Sequence, residues 1–71
     1  MAMKLGIYQH YNGKIYETIG AATHTETLEK LVVYRAMYGK KKLWVRPFEM
    51  FNEKISKDGK NIKRFKFIKS N

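Results

Sequence analysis

The sequence predicts a small, mainly β domain of antiparallel strands, and three features of its 71 residues carry that prediction. Two turn dipeptides, Asn12-Gly13 and Asp58-Gly59, each separate short segments rich in β-branched and aromatic residues, the pattern of a hairpin. The run Leu31–Tyr38 alternates, with Val32, Tyr34, Ala36 and Tyr38 on one side and Leu31, Val33, Arg35 and Met37 on the other, as strand pleating requires. The single proline, Pro47, follows Leu43–Arg46. It has no N–H to give to a ladder, so that strand should stop there.

The length fits one domain, residues 1–71, with an ordered core over 6–68. A chain of this size buries only about 60% of the surface its unfolded form exposes, so its stability should be modest. It has no cysteine, which excludes disulfides and thiolate metal sites and agrees with a reducing compartment. The start, MAMKLGIYQHYNG, carries Lys4 but Gln9, His10 and Asn12 interrupt any apolar run, unlike a secretory signal. No apolar stretch approaches the roughly 20 residues that span a bilayer. The expectation is a cytoplasmic protein with no membrane partner.

Taken in order, GIYQHY and KIYETIG form the first hairpin. A two-residue Asn12-Gly13 turn would set Tyr11 against Lys14, Gln9 against Tyr16 and Ile7 against Thr18. The second strand can run on through Gly20, Ala21 and Ala22 to Thr23, where small residues suit a bend. The next stretch is ambiguous. Thr23-x-x-Glu26 fits a capping box, and Leu28, Leu31 and Val32 have helical spacing. A helix within 26–38 would give an α+β fold. The alternation instead divides the segment into a loop or single turn from His24 to Lys30 and a strand from Leu31 to Tyr38. Leu43–Arg46 pairs with that strand across Gly39–Lys42. Pro47 then suits the first position of a short 3₁₀ turn carrying Phe48, Met50 and Phe51. Glu53–Ser56 and Asn61–Ile68 make the second hairpin. Five to six short strands with one turn near Pro47 describe an SH3-like open barrel.

The strings GIYQHYNGKIYE, HTETLEKLVVYRAMYG and LWVRPFEMF, followed by DGK and RF, are similar to the small bacterial domains grouped as domain of unknown function 1653. The resemblance spans residues 6–68. It rests on Tyr8, His10, Gly13 and Tyr16, on His24, Glu26, Thr27 and Glu29, on Val33, Tyr34, Arg35 and Tyr38, on Trp44, Val45, Arg46, Pro47 and Phe51, and on Gly59, Arg64 and Phe65. It implies an SH3-like barrel and brings no activity with it. The lysines at 40–42, 54, 57, 60, 63, 66 and 69 lie outside that pattern, so the charge belongs to this chain.

That charge is +9 and uneven: residues 1–39 hold four basic and three acidic side chains, residues 40–71 eleven and three. Such asymmetry points to a polyanion, although twelve of the fifteen cations are Lys, a hydrated point charge rather than the planar fork of Arg. Candidate phosphate contacts are Lys14, Lys40, Lys41, Lys42, Lys63, Arg64 and Lys66, with Tyr11, Tyr38, Trp44 and Phe67 as exposed stacking platforms. A second constellation joins Tyr34, Arg35, Trp44 and Arg46 with His24, Glu26 and Glu49. Pairing of the two central strands would let Arg35 and Arg46 approach one sheet face or its edge. Carboxylates from Glu26, Glu29 or Glu49 would neutralise them in a structural network. Left unneutralised, they would form a pocket for a phosphate, carboxylate or peptide end.

Catalytic and metal chemistry finds little support. The two imidazoles, His10 and His24, have no ligand spacing, and His24 with Glu26 and Glu29 suits a structural loop better than a metal site. The two serines sit near a turn and the C-terminus, away from any base. The sequence therefore predicts a non-enzymatic binding module without cofactor, monomeric or weakly dimeric. Its partner would be nucleic acid, with RNA favoured, or alternatively a protein or small anion held by the Arg/Trp/Glu cluster.

Overall fold

The computed structural model describes residues 4–70. Five strands form one antiparallel sheet: β1 (Gly6–His10), β2 (Ile15–Thr23), β3 (Lys30–Ala36), β4 (Leu43–Pro47) and β7 (Phe65–Ser70), in the order β4-β3-β2-β1-β7. A helical turn, α1 (Phe48–Phe51), follows β4, and β5 (Lys54–Lys57) and β6 (Lys60–Lys63) make a separate hairpin. The β-rich prediction holds. The sheet stays open, because among the described residues β4 and β7 do not pair with each other, so it does not close into a barrel. The turn after Pro47 is α-helical rather than 3₁₀.

The disputed segment is a strand. Lys30–Ala36 pairs with β2 on one side and β4 on the other, and its burial alternates with Val32, Tyr34 and Ala36 inside. Val32, Val33 and Tyr34 fit a pleated surface covered by neighbours, and this overrides the local helical spacing of Leu28, Leu31 and Val32. No helix occupies 26–38. The strand ends two residues before Tyr38, which enters the loop to β4. Thr23 continues β2 instead of capping a helix.

The first hairpin corrects the register. Gln9 pairs with Ile15, Tyr8 with Tyr16 and Ile7 with Glu17. The loop is Tyr11–Lys14, closed by hydrogen bonds from His10 N to Lys14 O and from Gly13 N to His10 O. Of the dipeptide only Gly13 has positive φ, +97°, so the two-residue turn that needs both residues in that region does not form. Asn12 Oδ1 instead accepts from Lys14 N at 2.9 Å, stabilising the wider loop. A one-residue change moves every partner to the other face. Tyr8, Tyr16 and Thr18 therefore share the buried face, and Ile7, Ile15 and Glu17 share the other.

The second hairpin has the expected turn. Asp58 and Gly59 have φ of 53° and 76°, and Ile55 faces Ile62 across it. Its second arm was expected to reach Ile68; instead it breaks at Arg64, and Phe65–Ser70 joins β1 at the edge of the main sheet.

The core is aromatic. Tyr8, Tyr16, Tyr34, Phe51 and Phe65 are buried with Val32 and Ala36, and Phe48 and Phe67 pack against them. Phe51 is 1% exposed and stacks on Phe65, with centroids 4.1 Å apart and planes at 7°. Tyr8 meets Phe51 and Phe67 edge-on at 5.3 and 5.4 Å. Such ring pairs add about 0.5–1.5 kcal/mol each beyond area burial, which matters in so small a domain. Thr18, fully buried, is satisfied: its Oγ1 accepts from Gly6 N at 2.8 Å and donates to Gly6 O at 3.2 Å.

The strand directions sort the connections into two groups. The Tyr11–Lys14 loop, the loop from Met37 to Lys42 and the start of β7 lie at one end of the sheet. The loop from His24 to Glu29, the end of β4 and the close of β7 lie at the other.

Candidate functional site

On the buried face, the aromatic layer is left open near β4. There Tyr16, Tyr34, Tyr38, Trp44 and Arg46 line a cleft of about 190 Å³. Strand register sets three of them, since Trp44 faces Tyr34 and Arg46 faces Val32 across β3 and β4. Trp44 is 49% and Tyr38 39% exposed. Arg46 donates from Nε to the Tyr34 hydroxyl at 3.3 Å, and its Cζ lies 5.6 Å from the Phe65 centroid. Among the described residues no carboxylate lies within ion-pair distance of Arg46, whereas Arg64 pairs with Glu53 at 2.8 Å. The Tyr16 and Tyr38 hydroxyls share a hydrogen bond of 2.7 Å. Burial, with Tyr38 beside it, pushes the Tyr16 phenol up to about 12, so it remains a neutral donor and acceptor. The cleft thus offers two exposed rings, phenolic hydroxyls and a guanidinium with donors to spare.

Cations crowd the same end of the sheet. Lys40, Lys41 and Lys42 line a recess of about 150 Å³ with Tyr38 and Trp44. Lys14 Nζ lies 4.8 Å from the Tyr38 ring centroid. The Tyr11 N–H donates to Arg64 O, which places Lys63, Arg64 and Lys66 beside the first hairpin loop. All seven sequence-derived phosphate contacts therefore gather around one end.

The Arg/Trp/Glu constellation divides. Tyr34, Trp44 and Arg46 meet in the cleft. Arg35 falls on the opposite face, between Glu17 and Leu43; adjacent strand residues cannot share a face, so the expected approach of Arg35 to Arg46 does not occur. His24 and Glu26 sit in the loop at the far end. His24 Nδ1 accepts from Glu26 N at 3.2 Å and from Thr27 N at 3.3 Å, so the imidazole caps the loop as an acceptor. Glu49 lines a separate recess of about 370 Å³ with Glu29, Lys30 and Phe48. The carboxylates expected to neutralise Arg46 are thus elsewhere. Among the described residues no three His, Cys, Asp or Glu side chains gather as metal ligands would, and no helix is long and apolar enough to cross a membrane.

Comparison with known proteins places the chain. The family model described as "Protein of unknown function (DUF1653)" matches residues 6–67. The chain belongs to the DUF1653 family. A crystal structure of a DUF1653 protein from Bordetella bronchiseptica superposes with a TM-score of 0.88 at 28% identity, covering 97% of this chain and 91% of that one. Among curated proteins none matches.

Within this DUF1653 fold, sequence reasoning missed Tyr16 and misjudged Phe67. Tyr16 enters the cleft because of the one-residue register correction, and the signal for it was Asn12, whose side chain favours a wider loop. Phe67 is half-buried against Tyr8, whereas Tyr11, Tyr38 and Trp44 are exposed as expected. His10 also belongs to this end, edge-on to Phe65 at 4.8 Å and to Tyr16 at 6.4 Å. Its burial pulls the imidazole pKa below the ordinary value, aided by Arg46 and Arg64 and opposed by the Asn12 hydrogen bond.

Proposed function

We propose that this protein is a binding module for single-stranded nucleic acid, held at the basic end of the open sheet without chemistry on the ligand. The observation that carries the reading is that Trp44 and Tyr38, both exposed, are shared by the cleft that holds Arg46 and the adjoining recess lined by Lys40–Lys42. A base stacks on Trp44, Arg46 donates to a phosphate or base edge, and the lysines follow the backbone. The indole is the chain's single tryptophan, so its emission reports directly on the cleft. Titration with short unstructured RNA or DNA at low salt should quench it, and the apparent affinity should fall steeply as salt is raised, because counterion release drives such binding. Unchanged Trp44 emission, with no NMR shifts around Tyr38–Trp44, would remove the reading.

A second reading follows from the guanidinium alone. Arg46 has the Tyr34 hydroxyl and no carboxylate, an arrangement suited to a small anion or the carboxylate end of a peptide. Binding of that kind would be saturable with a small phosphate or carboxylate ligand and would survive high salt. It would be lost in Arg46→Gln while the fold is kept.

A further inference from the structure

We infer that the groove between the first hairpin loop and β6 is a second base-binding subsite, so that one strand of nucleic acid occupies it and the Trp44 cleft together. This rests on the reading above and deepens it. The groove, of about 520 Å³, has mainly apolar walls from Tyr11, His10 and Ile62, with Gln9, Lys63 and Lys66 around them. The His10 and Tyr11 rings lie 4.4 Å apart at 33°, leaving Tyr11, 42% exposed, as a face for a further ring. Burial lowers the His10 pKa, which favours the neutral imidazole in this wall.

Charge complementarity selects the occupant. Lys63 and Lys66 stand on the rim, and Lys57 Nζ lies 5.5 Å from the Tyr11 centroid. Of the two acidic residues on this side, Glu53 is taken by Arg64 and Asp58 sits in the turn between Lys57 and Lys60. An apolar slot ringed by ammonium groups fits a planar base flanked by phosphates. Continuity supplies the second argument. Gly13 lines this groove, and its neighbour Lys14 reaches over the Tyr38 ring of the other cleft. A single backbone crossing Lys14 can therefore place one base on Tyr11 and another on Trp44.

The test is a length series of unstructured oligonucleotides, from a dinucleotide to chains of about ten residues, titrated at one fixed salt with Trp44 emission as the readout. Affinity should rise about tenfold or more once both subsites are spanned, the usual scale of one stacked base. Tyr11→Ala should remove the stacked-base part of that increment and leave dinucleotide affinity unchanged, while Tyr11→Phe should keep it. Tyr11 is exposed and carries no charge, so the variant should keep the parent's melting temperature to within a few degrees and the electrostatic gain with length. If long oligonucleotides bind Tyr11→Ala as tightly as the parent protein, the second subsite is wrong and the Trp44 reading stands. If no oligonucleotide of any length quenches Trp44, both fall. An equal loss in Tyr11→Ala at every length would also overturn the subsite, since it would place Tyr11 in the first one.

Discussion

At the residue scale, three positions show how tightly the small core is specified. Thr18 supplies the only side-chain oxygen satisfying the Gly6 peptide among the described residues. Thr18→Val keeps the shape and orphans a buried N–H, a change that should cost about 1–3 kcal/mol in urea denaturation; an unchanged midpoint would mean that Gly6 finds another partner. Gly6 itself leaves no room for a Cβ, which would run into the Lys69 carbonyl and the Ser70 backbone. Neither neighbour can swing away, so Gly6→Ala should open the β1–β7 edge. His10 carries a pH signature. Its folded pKa lies below the ordinary 6.5 because of burial, then Arg46 and Arg64. The unfolded chain therefore binds the proton more readily, so this contribution to stability is complete above about pH 6.5 and is lost as pH falls below it. The difference in melting temperature between the parent protein and His10→Gln, followed from about pH 7.5 to 5, should change in that window. A flat difference would count against the assignment.

At the element scale, the hairpins explain what was legible and what was not. Asp58-Gly59 was read correctly because both residues adopt positive φ, 53° and 76°, and nothing else competes for the turn. Gly59→Ala should weaken this hairpin by about 1 kcal/mol, seen as faster amide exchange in β5 and β6 with little change in β1–β3. Asn12-Gly13 carries the same dipeptide signal, yet the Asn12 side chain bonds to Lys14 N and makes a longer loop. That one-residue difference decides whether Tyr16 or Ile15 faces the cleft, and dipeptide preference cannot resolve it. The strand at Lys30–Ala36 was legible because its alternation coincides with β-branched residues. The place where β6 ends and β7 begins was not: the alternation does change phase at Lys63-Arg64, with Ile62 on one side and Phe65 and Phe67 on the other, but no Gly or Pro marks a stop, and it is pairing with β1 that sets the break at Arg64. Arg46 shows the same limit: alternation put Arg35 on the face opposite to Tyr34, but whether Arg46 shared the face of Arg35 depended on the β3–β4 register, which sets it against Val32.

Across the whole molecule, the open sheet separates charge. Lys14, Lys40–Lys42, Lys63, Arg64 and Lys66 gather at one end, while Glu26 sits in the far loop and Glu29 and Glu49 share a recess with Lys30 and Phe48. The sequence showed the imbalance along the chain but not this sorting, which strand directions impose. Crowded like charges repel in the free protein, and salt screens them within about 10 Å at 0.1 M. Thermal stability should therefore rise with ionic strength over the range in which oligonucleotide affinity falls. Parallel melting and binding series measure the two slopes, and slopes of the same sign would contradict the placement of ligand at this end. Replacing Lys40, Lys41 and Lys42 together with Gln should flatten both slopes without lowering the melting temperature.

The pairing of Gly6 with Ser70 has a practical corollary. The first and last strands lie side by side, and Gly6 and Ser70 sit at the end of the sheet opposite the lysine-bearing loops. A tether, label or fused partner added at either flank would hold the molecule like a brush by its handle, bristles outward. Surface-capture experiments through either end should accordingly leave binding intact, whereas coupling through lysine side chains should blunt it.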